Sequence, residues 1–150
     1  MTSREIVRRN ITFDNPPRIA IKFDVFGFND CYDIWLKEVT GYYQLGGGTD
    51  EWGCVWSQTE MQNTGQVTHH PLASWDEFPD YKFPDPEADG KYSSFMSDLA
   101  GAGDKFVMYC AGLGLFERFH TLRGFENALM DLYMEPEKTH QLLDGILDFH

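Results

Sequence analysis

The chain holds no apolar run approaching the roughly 20 residues that a membrane-spanning helix needs, which excludes such a helix from this stretch. Basic residues are scarce. Twelve lysines and arginines face 24 aspartates and glutamates, for a formal net charge of -12. Such a surplus repels nucleic acid and anionic membrane, and the only basic clusters, Arg4/Arg8/Arg9 and Arg118/Arg123, lack the density of a phosphate-tracking groove. Cysteine is limited to Cys31, Cys54 and Cys110. With no Cys-x-x-Cys spacing and no signal peptide, these read as reduced thiols of a cytoplasmic protein, each behaving as a small buried hydrophobe. A Walker motif is missing too. Gly46 to Gly48, and Gly112 with Gly114, are not followed by Gly-Lys-Ser/Thr, so tight turning beside a ligand pocket competes with an anion-binding nest at both places.

What is present is apolar and aromatic mass. Of 150 residues, 42% are hydrophobic and 15% aromatic, enough for one sizeable core in one globular unit. Thr2 followed by Glu5 fits a capping box that opens a short helix. After the break at Pro16-Pro17, Ile19 to Phe23 is predicted as a strand, with Asp24 to Asp30 ("DVFGFND") as the polar loop beyond its carboxyl end and a short helix over Asp30 to Val39. Trp52 to Trp56 and Gln66 to His70 are predicted to pair as strands across the hydrophilic link around Asn63 and Thr64.

Pro71 to Pro86, "PLASWDEFPDYKFPDP", has four prolines and is too aromatic for a linker. It is expected as an ordered excursion anchored by Trp75, Phe78, Tyr81 and Phe83. A helix around Tyr92 to Leu99 then leads to a second parallel-type strand, Lys105 to Cys110. "AGLGLFERF" turns on glycine into a helix that should bury Phe116 and Phe119. Phe125 to Met134 is amphipathic, with Phe125, Leu129, Leu132 and Tyr133 on its apolar face, and Pro136 opens a final helix carrying Thr139, Leu142, Leu143, Ile146 and Leu147. The β-loop-helix steps make this an α/β chain.

The segments "TSREIVRRNITFDNPPRIAI", "DEWGCVW", "HHPLASWDEFPDYKFPDP" and "GLGLFERFHTLRGFENALMDLYMEPEKTHQLLDGILDF" resemble the uroporphyrinogen decarboxylase superfamily, in the branch nearest the cobamide-dependent methyltransferases. The resemblance covers about the amino-terminal half of a family member. It implies the amino-terminal part of a TIM-like (β/α)8 barrel, with chemistry at the carboxyl ends of the strands. It implies methyl transfer from a small donor to a corrinoid or thiol acceptor, with uroporphyrinogen decarboxylation as the alternative enzyme and a non-catalytic half-barrel that binds a ligand or subunit as the third reading. Porphyrinogen decarboxylases carry an arginine-rich "RQAGR"-type stretch after the first strand. Here "DVFGFND" adds negative charge instead, which speaks against holding a polycarboxylate.

Zinc and a corrinoid are the groups the resemblance implies for a full-length protein, with the zinc ligands in its carboxyl-terminal half and no cofactor held by this segment alone. A small-molecule substrate, a corrinoid protein and a second copy in a homodimer are the implied partners; nucleic acid and membrane are not.

Candidate site residues follow from position. Asp24, Asn29 and Asp30 are placed to contact a polar ligand, with turn and capping roles as the plainer reading. Glu51, between the triple glycine and two indoles, is a candidate proton-transfer carboxylate or else a salt-bridged glutamate; Trp52 beside it is a candidate substrate contact. Gly112, Leu113 and Phe116 are expected to neighbour the pocket, as the strand-end "AGLGLFE" does in the family, and Glu117 to pair with Arg118 or Arg123. His69 and His70 would point to opposite faces of an extended strand, which disfavours one shared metal ion.

Overall fold

A computed structural model describes residues 1–35, 47–57, 65–110 and 112–150. In chain order the elements are α1 (Ser3–Ile11), β1 (Lys22–Phe23), a 3-10 turn (Asp24–Phe26), β2 (Phe28–Asn29), β3 (Cys31–Trp35), β4 (Gly48–Thr49), β5 (Val55–Ser57) and β6 (Gln66–His69). There follow a second 3-10 segment (Trp75–Asp80), α2 (Phe95–Ala100), β7 (Phe106–Cys110), α3 (Leu115–Arg123), α4 (Phe125–Met134) and α5 (Pro136–Phe149). The mixed α/β class agrees with the sequence; the sheets are small and no closed barrel is formed among the described residues. The chain divides into two compact units, Met1–Leu36 with Tyr92–Gly112, and Lys37–Lys91 with Leu113–His150.

In the first unit β3 and β7 pair in parallel, in register from Cys31 opposite Phe106 to Trp35 opposite Cys110. Here the sequence reading needs two corrections. The helix expected from Asp30 is a strand, because Cys-Tyr-Asp-Ile-Trp carries β-branched and aromatic side chains and has a parallel partner waiting in β7; residues 36–39 of that expectation lie outside the described set. The strand expected over Ile19 to Phe23 shrinks to two residues, paired antiparallel with β2 through the turn at Asp24–Phe26. Ile19 is 80% exposed, so its apolar run has no sheet to enter.

Helix α1 starts where expected, with the Thr2 hydroxyl accepting from the Glu5 amide at 3.2 Å. Glu5 does not close the box. Its carboxylate takes Arg8 and Arg9 instead, at 2.9 and 2.8 Å, and those hydrogen bonds lower its pKa to about 2. Ile6 and Val7 supply the buried side of the helix, and Arg4 ties its start to the carbonyls of Gly103 and Lys105 at 3.1 and 3.3 Å.

The second unit holds the larger core: Trp52, Cys54, Trp56, Leu72, Phe119, Leu122, Ala128, Leu142 and Ile146. Strands β4, β5 and β6 form an antiparallel sheet, which bears out the pairing expected for the "EWGCVW" and "QVTHH" stretches, although Gly46 and the link at Asn63 and Thr64 lie outside the described residues. Gly53, at φ +84°, makes the turn that enters β5, and its amide donates to the Asp50 carbonyl at 3.0 Å.

The proline-rich excursion is ordered as expected. Its 3-10 segment is opened by a true capping box, with the Ser74 hydroxyl accepting from the Asp76 amide and the Glu77 carboxylate from the Ser74 amide, both at 3.2 Å. Trp75, Phe78, Tyr81 and Phe83 all pack against the core. Phe83 lies against Gly145 of α5 so closely that a Cβ there would clash with its ring. The stripe of α5 is also right for Thr139, Leu142 and Ile146, which are buried, while Leu147 is exposed.

Helix α4 is where amphipathicity misleads. Phe125, Leu129, Leu132 and Tyr133 are all exposed, and the side turned inward carries Ala128 and Asp131. Asp131 is drawn in by Arg123, 2.7 Å away, and by the Trp75 indole N–H at 3.0 Å. Phe116 is likewise exposed, at 42%, whereas Phe119 is fully buried as expected.

Candidate functional site

Burial of charge organises the second unit. The Asp50 carboxylate accepts from the amides of Trp52 and Cys54 at 3.0 and 2.8 Å, from the Trp56 indole at 3.0 Å and from Arg118 at 2.7 Å. With so many charge-assisted bonds the desolvated pair is compensated. Arg118 also stacks 4.8 Å above the Trp52 ring. Arg123 is held in the same manner, by Asp131, by the Leu72 carbonyl and by the Trp75 face at 4.0 Å. Glu117, expected to pair with one of these arginines, caps α3 instead by accepting from the Gly114 amide at 2.8 Å.

Beside this network lies an open cleft of about 480 Å³. The sheet contributes Trp56, Gln66 and Val67 to its wall, and His70 follows β6 directly. Leu113 and the α3 residues Glu117, His120 and Thr121 line it as well, with Phe125 from the start of α4.

His70 is oriented by its backbone neighbour. Its Nδ1 sits 2.7 Å from the Thr121 carbonyl, an oxygen that can only accept, so Nδ1 carries the proton and Nε2 presents a lone pair in the neutral ring. No described residue bonds Nε2. His120 makes ring contacts with Phe116 and Phe125, each 5.6 Å between centroids. The wall thus mixes apolar side chains with polar ones, Gln66, Glu117, Thr121 and the two imidazoles.

The structure sorts the sequence candidates unevenly. Leu113 lines the cleft, and Phe116 stands behind His120 in the aromatic group next to it. Gly112, with φ +89°, belongs to the turn before α3. Trp52 is in the core, 2% exposed, edge-on to Phe149 at 4.7 Å and to Phe83 at 6.2 Å. Glu51 takes the salt-bridged role: it pairs with Lys91 at 2.8 Å, with the two side chains 8% and 0% accessible. Lys91 in turn lies over the Phe149 ring at 4.2 Å.

Asp24, Asn29 and Asp30 belong to the first unit. They precede β3, so they lie on the amino-terminal side of the parallel pair, a placement that follows from correcting the first strand. Asp24 accepts from the Asn29 side-chain amide. Asp30 is 4% exposed and grips Arg18 with both oxygens, at 2.6 and 2.7 Å. Those bonds hold its carboxyl well below the usual carboxylate range.

Sequence alone does not mark His120, Trp56 or Phe125 as cleft residues, and it offers His70 only beside His69, as a disfavoured metal pair. The legible signal was the Phe116/His120 pair at i,i+4 on one helix face. His69 is exposed while His70 is half-buried. Among the described residues no group of three or more His, Cys, Asp or Glu side chains is placed to hold a metal ion.

Cys54 Sγ donates to the Thr121 carbonyl at 3.3 Å, and burial pushes its thiol up to about 12. That is an inert thiol. Among the described residues no helix is long and apolar enough to cross a membrane. No family model matches the chain, and neither a curated protein nor a solved structure does.

Proposed function

We propose that this chain supplies the amino-terminal part of a uroporphyrinogen decarboxylase-like barrel enzyme that transfers a methyl group from a small donor to a corrinoid or thiol acceptor, in the cytoplasm. The cleft beside β5, β6 and α3 would form part of the substrate wall. Zinc ligation and the acceptor site would come from further sequence, so this chain's own residues exclude water and orient the donor.

The observation that carries this choice over tetrapyrrole decarboxylation is the commitment of every arginine. Arg4 is spent on backbone carbonyls, Arg8 and Arg9 on Glu5, Arg18 on Asp30, Arg118 on Asp50 and Arg123 on Asp131. A substrate bristling with carboxylates needs guanidinium or ammonium groups facing it. This chain spends its guanidinium groups on itself, which suits a donor of little or no negative charge.

The test uses the full-length gene product, purified without chelator, assayed for zinc content, for methyl transfer from methylated small donors to cob(I)alamin or a thiol, and for uroporphyrinogen turnover. Stoichiometric zinc with methyl transfer and no tetrapyrrole turnover is the expected result. Tetrapyrrole turnover by a metal-free preparation would overturn the proposal.

A further inference from the structure

We infer that the cleft lined by His70 and His120 is a recognition site for a flat ring that has no negative charge and carries an N–H or O–H donor. The inference deepens the reading of this cleft as a substrate wall and rests on it only for the location, not for the reaction.

Three features select that chemistry. First, the His70 Nδ1 bond to the Thr121 carbonyl leaves Nε2 as an acceptor, and an acceptor set among apolar side chains discriminates for ligands that bring a donor. The carbonyl also fixes the ring plane, so this acceptor is preorganised. Second, the apolar surface is suited to a ring. Trp56, Val67, Leu113 and Phe125 line the cleft. Phe125 stands at 81° to His120, the edge-to-face packing that aromatic pairs prefer. Third, charge excludes anions. Glu117 lines the cleft, no arginine or lysine among the described residues does, and the chain carries a formal -12. The volume of about 480 Å³ falls within the range of small-molecule sites.

Indole, 1-methylindole and indole-3-carboxylate separate the three features, with binding to the chain followed by NMR through the side-chain signals of His70, His120 and Leu113. Indole is expected to bind and to shift those signals first. 1-Methylindole, which keeps the ring and loses the donor, should bind about fivefold more weakly, the value of one neutral hydrogen bond, and indole-3-carboxylate more weakly still.

His70→Phe should erase the difference between indole and 1-methylindole. Because that change also removes the Thr121 contact, Leu113→Trp provides a second reading: it fills the cleft, leaves His70 bonded, and should abolish binding of both. Shifts centred elsewhere, equal binding of indole and its methyl derivative, tighter binding of the carboxylate, or no binding at about 10 mM would each overturn the inference. A full-length enzyme that transfers methyl groups while its cleft ignores indole would sink this inference alone. Indole binding by a full-length protein without methyl transfer would sink only the proposed reaction.

Discussion

Arg118 Nη1 lies 2.7 Å from Asp50 Oδ2, and the two side chains are 3% and 0% exposed. The same carboxylate satisfies two amides and an indole of the Asp50-to-Trp56 segment, so the pair fixes α3 against the start of the antiparallel sheet. Asp50→Ala is expected to cost about 3–5 kcal/mol, the usual consequence of taking a buried charge's partner away. Asp50→Asn, which keeps one acceptor oxygen, should cost less. Urea denaturation measures both; a loss under about 1 kcal/mol for the alanine variant would deny the network its structural role.

Asp30 and Arg18 predict a pH dependence. Arg18 depresses the Asp30 pKa in the folded state, so the pair's stability is fully present above the unfolded value of about 3.9 and is lost as pH falls toward the lower folded value. Asp30→Asn should therefore be less stable than the parent at pH 6, with the gap narrowing at pH 3. A gap that is constant or widens on acidification contradicts the assignment.

Gly145 and Phe83 make a packing prediction with a built-in control. Alanine favours a helix interior over glycine by about 1 kcal/mol, yet its Cβ at 145 would meet the Phe83 ring. That ring is held edge-on to Trp52 and Tyr81, with centroids 6.2 and 5.2 Å away, so it cannot step aside freely. Gly145→Ala should destabilise by about 1–3 kcal/mol. In a Phe83→Ala background the same change should become neutral or stabilising, and failure of that reversal in thermal melts would refute the contact.

Cys54 is expected to resist thiol reagents while the fold is intact. It is fully buried and its thiol is pushed up by burial, so thiolate and reagent access are both lacking at pH 8. Mass spectrometry after iodoacetamide should find it unmodified in buffer and alkylated in urea. Rapid alkylation in buffer would mean that the core opens readily.

Much of the helical half was legible because its signals are local. Thr2, Pro136 and the Leu142/Ile146 stripe each act within a turn or two of chain, and the structure agrees with all three. The strands were read less well. Cys31 to Trp35 reads equally as a short helix until β7 supplies its partner, and nothing near it announces that pairing. Ile19 to Phe23 had the composition of a strand and no sheet to join.

The cleft was hidden for a related reason. Leu113 and Phe116 were reached through resemblance, but the use of His70 depends on a carbonyl 51 positions away. On α4, Leu129 and Leu132 gave the ordinary apolar pattern, and the buried Asp131 reversed it through a distant tryptophan and a nearby arginine.

Discontinuity of both units bears on how the chain acquires its shape. Asp50 waits for Arg118 across 68 positions, and Arg4 for Gly103 across 99. Neither unit can close around its own first segment alone, so closing entropy is spent before most of the burial is gained. On the ribosome, the early aromatic stretches would emerge long before α3 and α5 arrive to cover them. That interval is when Trp52, Trp56 and Trp75 are open to wrong partners, the exposure from which aggregation during synthesis starts.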